Sequence, residues 1–155
     1  GESGRMLLTQ KCLYAVRAIF EIAARFPRGP VKIADIAQAQ AIPQRFLEAI
    51  LTQLKQAGFV ESRRGKQGGY LLARAPATVT IGDIIRVIEG DIGPVECLSG
   101  NGDSPQCSLY GQCAFSELWE QARVAMSQVY DGTTFQDLLE REQQKASKYV
   151  PAYSI

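Results

Sequence analysis

Three cysteines, Cys97, Cys107 and Cys113, stand with nine and then five residues between them in a stretch studded with glycine and proline. Thiolates are soft ligands that suit iron and zinc, and they also pair oxidatively. The stretch could therefore hold an iron–sulfur cluster, bind zinc with a fourth donor, or close a reversible disulfide. Neither interval offers the short two-to-four-residue chelate typical of zinc sites. Cys12, far upstream, reads as a small apolar core residue or, less directly, as a further ligand. The chain contains no histidine. That removes imidazole acid–base catalysis, the usual Ser-His and Cys-His nucleophile pairs, and any histidine metal ligand. The protein is expected not to be an enzyme, since a cysteine-dependent redox catalyst would need a thiolate activated by some other group.

A second set of residues is built for anions. Arg63, Arg64 and Lys66 lie in the loop Arg63-Arg64-Gly65-Lys66-Gln67-Gly68-Gly69, where glycines let backbone and cations come close to phosphate. The elements around them spell a winged helix-turn-helix. A short helix over Ile33–Gln40, with Ile33, Ile36 and Ala37 inward, is followed by the turn Ala41-Ile42. The next helix should begin at Pro43 as its first residue and end at Gly58. Its residues Phe46, Leu47, Ile50, Leu51 and Leu54 recur at three- and four-residue steps, which assigns them to a buried face and leaves Gln44, Arg45, Glu48 and Gln53 outside. That outer face can enter a major groove. Phe59–Ser62 and Tyr70–Ala73 read as the strands of a hairpin wing.

Upstream, Thr9 can cap a first helix with Cys12, Val16, Ile19, Ala23 and Phe26 on one stripe, beside Ala15 and Ile22, broken by Pro27. Downstream, Thr80 and Asp83 resemble a capping box for a helix over Ile81–Glu89, stopped by Gly90, with Ile84, Ile85 and Ile88 facing one way. Residues 91–112 show no apolar period and should form an irregular loop, longer than compact domains usually tolerate without a function. A long helix is predicted from about Ala114 to Tyr130. Its near-heptad Phe115, Leu118, Trp119, Ala122, Ala125, Met126 and Val129 wants a partner surface, either its own domain or the same helix of a second subunit. A short helix through Phe135, Leu138 and Leu139 and a mobile tail from Gln143 complete the chain.

The expected fold is mainly α with a small β-hairpin wing, a winged helix-turn-helix followed by a long dimerisation helix. Its divisions are a cloning remnant over residues 1–5, a DNA-binding unit over 6–76, the cysteine loop and dimerisation helices over 77–142, and a tail over 143–155. A net charge of +1 conceals a segregation that supports this division. Residues 1–76 carry 12 Lys/Arg against 5 Asp/Glu, whereas 77–155 carry 5 against 11. A basic half joined to an acidic half points to nucleic acid at one end. With neither a secretory leader nor an apolar run of membrane-spanning length, the expected location is cytoplasmic, without a membrane partner.

Leu8-Thr9 with Tyr14-Ala15-Val16, then Val31, Ala34-Asp35-Ile36, Phe46-Leu47-Glu48, Leu54, Gly58, Arg64-Gly65 and Gly68-Gly69-Tyr70-Leu71-Leu72 resemble the winged-helix regulators that include IscR, NsrR and CymR. The resemblance runs from Leu8 to about Leu139, and its most specific parts are the wing and the three-cysteine loop before Leu118-Trp119. It implies a bacterial transcription factor that binds double-stranded DNA at a palindromic operator as a homodimer. Pro43, Arg45, Phe46 and Glu48 are carried over as residues that touch bases or the adjacent backbone, and Arg64 as the wing arginine in the minor groove; the helix face and the loop add Gln44, Arg63 and Lys66 as DNA-binding candidates. Arg45 could bond a guanine bidentately or only touch phosphate; Glu48 could face DNA, solvent or Arg45. By the same resemblance Cys97, Cys107 and Cys113 hold an iron–sulfur cluster, 2Fe-2S in preference to 4Fe-4S, which isolated protein need not retain. Ser116 stands where the IscR type has a histidine, and Leu13 where related regulators place a carboxylate. A fourth ligand would come from Cys12, Glu96, Asp103, Ser116, Glu117, or an exogenous thiol or water. A CymR-like regulator without a cluster, controlled by a protein partner or by thiol oxidation, is the alternative.

Overall fold

In the computed structural model, which describes residues 7–93 and 114–148, helix α1 (Gln10–Ala24) begins where extended Thr9 accepts a hydrogen bond from the Cys12 N–H. That bond satisfies one of the first-turn donors. Cys12, Ala15, Ala18, Ile19, Ile22 and Ala23 face inward, while Phe26, expected on the same stripe, lies beyond the last turn and is exposed. Helix α2 (Ile33–Gln40) ends at Ala41, which takes the left-handed conformation (φ 52°) needed to turn the chain sharply. Arg17 of α1 donates to the Gln40 carbonyl, placing a cation at the carbonyl end of α2.

Helix α3 (Gln44–Gln56) starts one residue later than expected, with Pro43 as its cap residue and the Pro43 carbonyl accepting from Phe46. Its end is set by Gly58 at φ +86°, where Gly58 N–H bonds the Lys55 carbonyl and Phe59 N–H bonds that of Leu54. This pairing closes the last open carbonyls and throws the chain into β1. Strands β1 (Val60–Arg63) and β2 (Gly69–Leu72) pair antiparallel, Val60 opposite Leu72 and Arg63 opposite Gly69. Both are shifted by one residue from the spans read in the sequence. Val31 joins as a third partner, exchanging hydrogen bonds of 2.7 and 2.8 Å with Tyr70, which anchors the hairpin to the α1–α2 connection.

A short 3-10 turn (Pro76–Thr78) leads to α4 (Ile81–Glu89), whose capping box is formed by Thr80 and Asp83 as the sequence implies. Helix α5 (Ser116–Asp131) is followed by α6 (Phe135–Lys148). The latter reaches well past Leu139, so residues 143–148 are helical rather than tail. A second reciprocal cap, Thr134 with Asp137, starts it. One core joins both halves of the chain: Cys12, Ile19, Ile36, Leu47, Ile50 and Leu54 share it with Val79, Ile84, Ile85 and Phe135.

Three polar contacts converge on the end of α4. Gln53 of α3 donates to the Val87 carbonyl, Thr9 donates to Glu89, and Arg86 grips Asp131 at the end of α5 through two bonds of 2.6 and 2.7 Å. Gly82 gives that carboxylate its seat, because a Cβ there would lie 1.9 Å from Asp131 Oδ1. The Arg86 hydrogen bonds hold the Asp131 carboxyl below its ordinary 3.8. A carboxyl depressed in the folded state adds stability above its unfolded pKa, and that stability fades as pH falls through the depressed value. Asp131→Asn should therefore destabilise the protein at neutral pH, by at most about 1 kcal/mol for so exposed a pair. In urea titrations the difference should shrink to nothing in strong acid. An equal deficit at both pH values would mean that the pair does not act through charge.

Candidate nucleic-acid interface

The buried side of α3 is Leu47, Ile50, Leu51 and Leu54; Gln44, Arg45, Glu48, Ala49 and Thr52 are exposed. Thr52 donates to the Glu48 carbonyl, a bond internal to the helix. Phe46 departs from the period. It is 44% exposed and stacks on Tyr14 of α1, with ring centroids 6.1 Å apart. The Phe46 position lies at the edge of the apolar arc, where α1 offers an aromatic shelf instead of a closed pocket. Gln10 donates to the Tyr14 hydroxyl, and the Arg17 guanidinium lies 5.8 Å from the Tyr14 ring. Arg45 stacks over Phe46 at 4.9 Å and forms no ion pair with Glu48. Neither Tyr14 nor Gln10 is assigned to this surface by its sequence position. Tyr14, a polar-edged aromatic three residues before Arg17, was the available signal.

Alongside, Lys55 of α3 donates to Ser62 of β1, tying helix to wing at 2.7 Å. Arg63 is drawn into an ion pair with Glu61 at 3.1 Å, so it is the less available of the wing cations. Arg64 and Lys66 are exposed and form no ion pair with any described residue. Gly65 reaches φ +101° at the tip, and Gly68 packs so tightly that a Cβ would meet the Arg63 carbonyl oxygen at 2.2 Å. The hairpin thus presents its cations from a tightly folded tip.

Cys97, Cys107 and Cys113, with Glu96 and Asp103, lie outside the described residues. Ser116 and Glu117 open α5 directly after that stretch. Cys12 is fully buried, and burial first, then the nearby Glu89 carboxylate, pushes its thiol up to about 12. A neutral thiol in an apolar core is the setting of a packing residue. Among the described residues no three metal-ligating side chains come together.

A helix-turn-helix with an exposed, partly cationic second helix and an adjoining basic hairpin defines a winged-helix DNA-binding protein. Residues 8–141 match the Rrf2 family, described as iron-dependent transcriptional regulator, and the chain belongs to that family. It is similar to the transcriptional regulator CymR of Bacillus subtilis, 38% identical over 133 residues, 86% of this chain and 89% of the relative. IscR of Aliivibrio salmonicida is 32% identical over 134 residues, 86% and 77% of the two chains. Among solved structures, CymR, the global cysteine regulator of B. subtilis, superposes with a TM-score of 0.72 at 36% identity, covering 87% of this chain and 97% of the other. The IscR of T. potens gives 0.72 at 32%, covering 95% and 94%. The protein is accordingly a transcriptional regulator rather than an enzyme. No described helix is long and apolar enough to cross a membrane.

Proposed function

We propose that the protein is a dimeric regulator that grips a palindromic operator with α3 and the hairpin of each subunit and senses redox state, nitric oxide or iron–sulfur status through its three-cysteine loop. The observation that carries the DNA-binding part is the adjacency of the exposed α3 face to the wing cations Arg64 and Lys66, locked by Lys55 and Ser62. Pro43, Gln44, Arg45, Phe46 and Glu48 face the major groove, and Arg63, Arg64 and Lys66 follow phosphate and minor groove. Residues 6–76 form the DNA-binding unit and 77–142 the sensing and dimerisation unit, built on one shared core.

Dimerisation is supported by α5. It buries no residue completely, and Phe115, Leu118, Val124 and Val129 are exposed, Val129 at 65%. Met126 and Tyr130 pack inward on the core, and at helical spacing Phe115, Leu118 and Val129 lie on one side, an apolar stripe suited to a symmetry mate, whereas Val124 lies on another.

Cys97, Cys107 and Cys113 would hold an iron–sulfur cluster, and their thiolate chemistry fits it. Such a group supplies an oxidant- and nitric oxide-sensitive iron centre. The buried, protonated Cys12 is a poor fourth donor. Identity to CymR favours the second reading, a regulator without a cluster controlled by a protein partner or by thiol oxidation. Anaerobic reconstitution with iron and sulfide separates the two. The cluster reading expects a coloured, iron-containing protein that the triple change Cys97→Ala, Cys107→Ala, Cys113→Ala leaves colourless. A colourless, iron-free wild-type product overturns it in favour of the CymR-like reading.

A further inference from the structure

We propose that Arg45 and Phe46 act as one unit that reads a two-base-pair step, a guanine beside a pyrimidine bearing a C5-methyl group. The inference rests on the proposed DNA-binding role of α3 and adds the bases that two of its residues select. Every other large apolar side chain of α3 is at most 1% exposed, whereas Phe46 is 44% exposed. Its ring is nonetheless fixed, backed by the Tyr14 ring at an interplanar angle of 30°, and Tyr14 is itself steadied by Gln10. A rigid aromatic kept in water on the groove-facing side of a recognition helix needs an apolar partner in that groove. The major groove displays one, the C5-methyl of thymine, which 5-methylcytosine also carries.

Arg45 supplies the neighbouring contact. Its guanidinium is held 4.9 Å from the Phe46 ring by cation–π attraction, and no described acceptor takes any of its N–H groups. Stacked on a fixed ring, the fork loses less conformational freedom when it bonds guanine O6 and N7. The stacking distance is also closer to one base-pair rise, about 3.4 Å, than to two. Ring and fork therefore address adjacent pairs, and the preferred step is a guanine next to thymine on either side.

The test is selection of a random duplex pool by the wild-type full chain at low salt, followed by base-analogue substitution in the selected sequence. Each half-site should contain the guanine–thymine neighbour. Replacing that thymine by deoxyuridine, which deletes only the methyl, should weaken binding about three- to tenfold. A 5-methylcytosine–guanine pair at the same place should bind better than an unmethylated one. Phe46→Ala should bind thymine and deoxyuridine duplexes equally, while Phe46→Leu keeps part of the difference. Arg45→Ala should keep the methyl preference but lose discrimination against 7-deazaguanine. Unchanged melting temperatures show that the variants are folded, and Phe46→Leu serves if Phe46→Ala is not. A selected sequence indifferent to deoxyuridine, or a Phe46→Ala variant that still prefers thymine, overturns this inference while DNA binding stands. A pool from which nothing is enriched overturns the DNA-binding reading itself, and this inference with it.

Discussion

Gly69→Ala should destabilise the protein by about 2–4 kcal/mol and, in the same variant, weaken DNA binding through the wing. Gly69 has φ +146°, and a Cβ there would lie 2.4 Å from the Val31 carbonyl oxygen, 2.6 Å from its carbon and 2.9 Å from the Lys32 nitrogen. All three are backbone atoms. No side-chain rotation relieves the contact, so Val31 must withdraw from Tyr70 and break the 2.7 and 2.8 Å hydrogen bonds that dock the hairpin. Gly65→Ala is the internal control. It shares the unfavourable φ, at +101°, but its Cβ would meet nothing within 4 Å, so it should cost only about 1 kcal/mol. Urea denaturation of both variants measures the difference. Equal costs would show that the wing is not held by the Val31 pairing.

The contrast between those glycines also marks where sequence reading stops. Local determinants are legible: the Thr9 and Thr80 caps, the stop at Gly58 and the bounds of α2 and α4 all follow from residues within one turn of each other. The same logic reaches most of the outer face of α3 and the cationic wing, because helical period and turn composition decide what stays outside, but it leaves Gln53 outside where the residue is half-buried and donates to the Val87 carbonyl. It fails at Phe46, since the period assigns a face but cannot say that Tyr14, 32 positions earlier, will meet the ring as a shelf. The contacts Arg86–Asp131, Gln53–Val87 and Thr9–Glu89 span 45, 34 and 80 positions and leave no local trace. Helix α6 is read too short for a different reason. After Leu139 it is almost wholly polar, so no apolar period announces it, although Thr134 and Asp137 mark its start.

Phe135→Ala should cost about 3–5 kcal/mol, a large share of the roughly 5–15 kcal/mol that holds a domain of this size. Phe135 has no exposed surface and heads the largest fully buried side chains. Its backbone is pinned as well: Phe135 N–H bonds the Val79 carbonyl and Ile81 N–H bonds that of Thr133, both at 3.0 Å, with Thr80 bridging Thr134. A collapse that refilled the space would have to break this small pairing, so the cavity should persist and the cost lie toward the upper end. The consequence reaches beyond α6. Phe135 belongs to the same core as Leu47 and Ile50, which carry the inner face of α3. Helix α6 is thus a structural support of α3 despite the change of charge at Pro76. Circular dichroism and Trp119 fluorescence should report one coincident unfolding transition in wild type and variant, displaced to lower urea in the latter. Two separated transitions, or a cost under about 1 kcal/mol, would mean that α6 folds independently of the winged helix.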